Sequence, residues 1–257
     1  MRRLLVVSCL LVFFAVGAFG QTKPFEPQVG QAGKDVVWVP TPQGLVDKML
    51  EIAKVTPQDY LIDLGSGDGR TVITAAKRGT KALGIEYNPD MVELSQRNAV
   101  TEKVTNRATF MKADLFETDF SQASVITMFL LPDINLRLRP KILDLKPGTR
   151  IVSNTFTMGE WNADETARIT EGCTSWCTAL LWIVPAKVQG TWRHPQGELK
   201  LEQNFQMITG TLNNTPITEG KLNGTEIVFN VGATRYTGRV NGNTMEGTGG
   251  QWRATKQ

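Results

Sequence analysis

Gly65, Gly67 and Gly69 alternate just behind an acid, Asp63, and a second acid, Glu86, follows one strand-and-helix length later. Alternating glycines let a backbone turn sharply and come close to a ligand where any Cβ would clash. They sit in Tyr60-Leu61-Ile62-Asp63-Leu64-Gly65-Ser66-Gly67-Asp68-Gly69-Arg70. The first five residues suit a parallel strand covered on both faces, and a helix begins near Arg70. That helix aims its free N–H groups into the crevice, as a nucleotide-type cofactor requires. One glycine usually serves for a plain strand-to-helix turn, so the glycine density favours a ligand site.

Spacing separates the cofactors. Dinucleotide sites prefer Gly-x-Gly-x-x-Gly, with the last glycine inside the helix. An acid at Asp63 would repel a pyrophosphate but suits an ammonium group. Glu86, closing the run Ala82-Leu83-Gly84-Ile85, is placed for both ribose hydroxyls. Ammonium, ribose and sulfonium together describe S-adenosyl-L-methionine. On these residues the chain resembles the class I, seven-stranded methyltransferases. The resemblance implies that Asp63, Gly65, Ser66, Gly67, Asp68, Gly69 and Glu86 hold the cofactor. It further implies that Asp114, followed by Leu115, reaches the adenine amino group, and that Phe129 belongs to the cofactor set. Pro40 and Thr41 end an extended segment that, in such relatives, folds over the cofactor. With Gly84-x-Glu86-x-Asn88-Pro89, Asp114-Leu115-Phe116 and Phe129-x-x-Pro132, the chain is similar to bacterial relatives of the mitochondrial protein-lysine methyltransferases. The likeness runs from about Val36 to Trp161 and implies a protein lysine as acceptor.

The exit of the fourth strand is Leu130-Leu131-Pro132-Asp133, whereas the relatives that methylate nucleic-acid bases carry a polar residue, two prolines and an aromatic there. This departure counts against a base substrate. Leu130, Pro132, Phe156 and Trp161 are the expected acceptor-side contacts. No catalytic residue is assigned. A sulfonium leaves as a neutral group, so the protein mainly places a nucleophile in line, about 3 Å from the methyl group. Asp133 and Glu160 are placed to steer a cationic acceptor. The single histidine, His194, reads as a turn residue beside Pro195.

The elements that position these residues form an α/β domain: a doubly wound, mostly parallel seven-stranded sheet, followed by a small all-β antiparallel barrel-like domain. Thr41-Pro42 starts a helix with a hydroxyl N-cap, and Leu45, Met49, Ile52 and Ala53 make its buried face. Later helices are expected over 71–77, 89–99 and 135–145, Pro140 sitting near the start of the last or bending it. Strands are expected over 82–86, 108–111, 123–132, 150–156, 167–170 and 178–184. Their alternation with helices points to a parallel sheet covered on both faces. The closing antiparallel hairpin follows from the resemblance alone. Beyond Pro185 the apolar residues step by two (Leu199/Leu201, Ile227/Phe229), and Asn223-Gly224 and Asn241-Gly242 mark hairpins. Seven or eight short strands suffice for a barrel. Trp192 and Trp252 would meet if it closes. The barrel is expected to be filled by its own side chains, with a ligand- or partner-holding barrel as the other reading.

The domain division is 1–20 signal, 21–35 extended arm, 36–186 methyltransferase domain and 187–257 β domain. Met1-Arg2-Arg3, the apolar run Leu4 to Phe19 and Ala18-Phe19-Gly20 before Gln21 read as a secretory signal. The run falls short of the roughly 20 residues of a membrane span. Export to the periplasm after cleavage is expected; an uncleaved anchor is the alternative and leaves membrane proximity open. The formal charge of +3 is spread along the chain, which argues against a nucleic-acid partner. Cys173 and Cys177 would lie about 13 Å apart on a straight strand, but a turn at 174–176 would let them bond. Export favours the disulfide, and two packed thiols are the alternative. They are too few for a zinc site, and no metal is expected. Three readings follow: a methyltransferase for a protein lysine, one for a small or lipid-like acceptor, and a non-catalytic exported protein whose β domain binds a partner.

Overall fold

The computed structural model describes residues 25–257; the expected signal and its cleavage site lie outside the described residues. Helix α1 spans Gln43–Ile52, strand β1 Tyr60–Leu64, α2 Arg70–Lys77, β2 Lys81–Glu86, α3 Pro89–Thr101 and β3 Ala108–Lys112. Then come β4 (Val125–Met128), α4 (Pro132–Leu143), β5 (Arg150–Asn154), β6 (Glu165–Arg168) and β7 (Thr178–Ile183). The sheet order is β3-β2-β1-β4-β5-β7-β6. Strands β3, β2, β1, β4 and β5 pair in parallel, and β7 runs antiparallel to both its neighbours, as the resemblance implied. The chain reverses direction across the sheet between β1 and β4. In such open sheets the crevice at the strand ends beside that reversal takes the ligand.

One face of the sheet carries α1, α2 and α3, whose Leu45, Met49 and Val72 share a core with Leu61, Val152 and Leu181. The other face carries α4, with Leu138 and Ile142 packed among Ile62, Ile126, Trp161 and Trp182. Between β5 and β6 the described residues contain no helix. That part of the second face is covered by the C-terminal domain.

The C-terminal domain is a closed barrel of β8 (Gly190–His194), β9 (Gly197–Asn204), β10 (Met207–Leu212), β11 (Thr215–Asn223), β12 (Glu226–Val231), β13 (Thr234–Asn241), β14 (Thr244–Gly247) and β15 (Arg253–Lys256). Closure runs through β15 pairing with β8, where Lys256 opposes Trp192. Trp192, Leu199, Phe229, Met245 and Ala254 fill the interior completely buried, as expected for a small barrel. Trp252 precedes β15 and packs its ring against His194, Phe229 and Tyr236. Phe205, in the β9–β10 turn, stacks on Trp161 at 5.9 Å between ring centroids. The Arg139 guanidinium also lies against Phe205, 5.3 Å from the centre of its ring. Gln206 donates to the Asn162 carbonyl at 2.8 Å, and Lys221 pairs with Asp164 at 3.3 Å.

Several expectations are corrected. Pro42, not Thr41, is the N-cap of α1, and no side chain caps it; the Thr41 hydroxyl instead accepts from the Asn154 amide at 3.2 Å. Helix α4 starts at Pro132, because proline tolerates the first helical turn, and Pro140 lies in its last third. This shortens β4 to four residues. His194 is not a turn residue: it ends β8, is buried, and its Nε2 has no partner. Burial holds its pKa below the usual histidine value. Among the described residues no helix is long and apolar enough to cross a membrane.

Candidate active site

The glycine turn leaves the C-terminal end of β1. Gly65 (φ +73°), Gly67 (φ +55°) and Gly69 (φ +82°) all adopt the left-handed conformation that L side chains avoid. The Gly65 and Ser66 N–H groups donate to the Ile85 carbonyl at 2.9 and 3.0 Å, docking the turn against β2. Glu86, at the tip of β2, completes the docking. Its Oε2 accepts from Gly67 N–H and its Oε1 from Tyr87 and Asn88 N–H, each at 2.9 Å.

A cavity of about 540 Å³ opens over this turn, within the size range of small-molecule sites. Pro40, Thr41, Asp63, Gly65, Ser66, Gly67, Asp68, Glu86, Asp114, Leu115, Phe129, Leu130 and Phe156 all line it. Residues drawn from positions 40 to 156 therefore converge on one cleft. Its acids are Asp35, Asp63, Asp68, Glu86 and Asp114; its cations, Lys34 and Arg70, are both paired to lining acids.

The acids differ in environment. Asp63 is buried and accepts from the Thr127 hydroxyl at 2.6 Å. Burial pushes its pKa up to about 7; the Thr127 hydrogen bond opposes this, and the nearby Asp68 and Glu86 charges add to it. Asp68 grips the Arg70 guanidinium, whose other arm donates to the Thr41 carbonyl at 2.8 Å. The turn is thus tied to the segment entering α1. Asp114 accepts from the Phe116 N–H at 2.9 Å and pairs with Lys34, whose hydrogen bond holds the carboxyl below its ordinary pKa.

Three sequence-derived contacts do not line the cavity. A Cβ on Gly69 would meet the Phe110 ring at 2.7 Å and Ser95 Cβ at 2.9 Å, so this glycine serves helix packing. Pro132 is the exposed first residue of α4. Trp161 is completely buried between Trp182 and Phe205, because the barrel covers it. Glu160 pairs with Arg139 rather than facing the cleft.

Other lining residues escaped the sequence. The arm at 30–38 folds back as a tight hairpin, with Gly30 N–H donating to the Trp38 carbonyl at 2.8 Å and Trp38 N–H to the Gln31 carbonyl at 2.9 Å. Trp38 crosses the glycine turn so closely that a Cβ on Gly67 would lie 2.8 Å from its Nε1. The turn between β6 and β7 supplies Trp176. Cys173 and Cys177 are bonded in that turn. A lone tryptophan inside a Cys-x-x-x-Cys turn was the available signal.

A seven-stranded sheet in this order, with a glycine turn bracketed by acids at the ends of β1 and β2, defines an S-adenosylmethionine-dependent methyltransferase. The family model for the ANTKMT methyltransferase domain matches residues 63–165 and stops before the barrel. A protein-lysine N-methyltransferase of Saccharolobus islandicus (strain REY15A) is 46% identical over 140 residues, covering 53% of this chain and 87% of that protein. The adenine nucleotide translocase lysine N-methyltransferase of Mus musculus is 30% identical over 118 residues, covering 45% of this chain and 51% of that protein. A crystal structure described as an RNA methyltransferase from Salinibacter ruber, in complex with S-adenosyl-L-homocysteine, superimposes with a TM-score of 0.55 at 45% identity. It covers 58% of this chain and 96% of that one. The chain belongs to this methyltransferase family, and its cofactor is S-adenosylmethionine. The residues present fit that group: an acid-lined cleft suits a cationic ligand, and the glycine turn and Glu86 stand together in its wall.

Proposed function

We propose that the enzyme methylates the side-chain amine of a protein lysine. The observation that carries this is the composition of the cleft. Its five acids outnumber its two cations, both already paired, while its β4–β5 end is walled by Phe129, Leu130, Phe156 and Trp176. Such a cleft has an acidic balance that favours a cation over a polyanion, and its apolar end suits the methylene stem of a lysine side chain. The relatives named as lysine methyltransferases support the same acceptor, and the cleft's charge favours it over the RNA named for the Salinibacter protein.

In this reading the parts follow the pattern of the family the chain resembles. Asp114, just after β3, takes the adenine amino group, Glu86 on β2 the ribose hydroxyls, and Asp63 on β1 the ammonium. The acceptor then enters over β4 and β5. When bound, the cofactor supplies an electrophilic methyl group whose leaving sulfur is neutral. The chain's own task is to present an uncharged amine. The apolar wall lowers the pKa of an entering ammonium by desolvation, so that its proton passes to bulk water before the free amine attacks. No histidine lines the cleft, and this route needs none.

Incubating the enzyme with tritiated S-adenosylmethionine and a cell extract, followed by acid hydrolysis, should yield labelled methyl-lysine. Label confined to small molecules, lipid or nuclease-sensitive material would reject the lysine. We further propose that the enzyme is exported, with cleavage near Gln21. Residues 1–20 carry the pattern, and a disulfide in a surface turn suits an oxidising compartment. Recovery of Met1 at the N-terminus of the purified protein would reject cleavage.

A further inference from the structure

Trp176 is held in an unusual way at the acceptor end of the cleft. It lies in the turn between β6 and β7 with a left-handed φ of +55°, rare for a bulky residue, and it is 42% exposed. The Cys173–Cys177 bond closes a ring around it, and Ile169 N–H donates to the Cys177 carbonyl at 3.0 Å at the base of the turn. Its indole meets Phe129 edge-on at 6.0 Å, and Phe129 stacks on Phe156 at 5.8 Å. Three aromatic side chains, following β4, following β5 and in the crosslinked turn, thus form one continuous wall. An unfavourable backbone conformation persists only where the surroundings enforce it, and such residues cluster at ligand clamps.

We propose that Trp176 is the outer wall of the acceptor subsite, that it takes an aliphatic chain ending in an ammonium group, and that the disulfide is what positions it. An aromatic face attracts a desolvating cation while its body packs the methylene stem. Phe129 and Phe156 sit deeper and provide the apolar channel. Trp176 is the most exposed of the three, so it meets the charged form first. Reduction of the disulfide frees the turn and removes this wall without touching the cofactor's acids. The inference rests on the lysine reading above.

The test uses the full chain saturated with S-adenosylhomocysteine, and N-acetyl-lysine methylamide as the probe, observed by saturation-transfer NMR. Trp176→Ala should weaken the probe's binding roughly tenfold, Trp176→Phe should restore most of it, and the Cys173→Ser/Cys177→Ser double variant should lose as much as Trp176→Ala. Calorimetric affinity for S-adenosylhomocysteine should stay unchanged in all three. Probe binding that is unaltered in Trp176→Ala overturns the wall, and unaltered binding in the double serine variant overturns the positioning role. Loss of S-adenosylhomocysteine affinity in Trp176→Ala would assign the residue to the cofactor instead and overturn the proposal. A wild-type chain that binds S-adenosylhomocysteine but not the probe rejects the alkylammonium acceptor itself, which separates that failure from a failure of Trp176 alone.

Discussion

The Glu86 carboxylate accepts a hydrogen bond from the Gly67 N–H at 2.9 Å, so one side chain braces the tip of β2 against the glycine turn after β1. Its second oxygen is held by Tyr87 and Asn88, which fixes the rotamer. Glu86→Ala removes the proposed ribose partner and strands three backbone donors. Hydrogen bonds to a charged acceptor contribute about 1.5–3 kcal/mol each, so S-adenosylmethionine affinity should fall at least about tenfold by calorimetry. Glu86→Gln keeps an acceptor and should lose less. Equal affinity in wild type and Glu86→Ala would contradict the assignment.

With Asp63 as the proposed ammonium partner, cofactor binding should depend on pH. Its folded-state pKa of about 7 lies above the ordinary aspartate value of 3.8. Between those values the folded chain holds a proton that the unfolded chain has lost, so this group's contribution to stability declines as pH rises toward 7 and is flat above. Cofactor binding has the opposite sign, because the ammonium requires the carboxylate. Affinity should rise with pH up to about 7 and then level, by at most roughly tenfold per pH unit. Calorimetry in buffers of differing ionisation heat should show proton release below the pKa and little above it. Asp63→Asn should abolish the slope; a slope that persists in that variant assigns it to another group.

Gly67 and Gly69 should fail in different assays. A methyl group on Gly67 strains a left-handed backbone, at about 1–2 kcal/mol, and also collides with Trp38 at the cavity, so Gly67→Ala should lose cofactor affinity in addition to that stability. On Gly69 it collides with Phe110 and Ser95 in packed interior, so Gly69→Ala should cost about 1–3 kcal/mol in urea denaturation. Calorimetry and denaturation on both variants check the contrast. Cofactor affinity lost equally in both variants would undo it.

Phe205→Ala should remove the aromatic contact that seats the barrel on Trp161. Phenylalanine truncations in cores cost about 3–5 kcal/mol, and this half-buried ring should give about 2. A chain ending at residue 186 should aggregate or bind a hydrophobic dye. A monomeric, dye-free truncation with the parent's denaturation midpoint would show that the barrel is dispensable.

The parts legible in sequence were those written in contiguous residues. Strand β1 falls on Tyr60–Leu64 as its apolar run required, and the turn and Glu86 follow at fixed offsets. The barrel was legible as alternation and hairpin pairs. What escaped was long-range. Lys34 reaches Asp114 across 80 positions, and Trp161 meets Phe205 across a domain boundary. Pro132 belongs to a run shared by the acceptor-side reading and a helix start, and only the backbone distinguishes the two. Trp176 joins Phe129 through a turn whose crosslink the sequence left as one of two outcomes.

Because the barrel caps the sheet where no helix follows β5, a later stretch of the polypeptide finishes a face begun by an earlier one. Trp161 packs on Trp182 within the sheet's own layer, but its other side is covered only by Phe205 from the barrel. The α/β part therefore completes its packing only once the β9–β10 turn has docked against it.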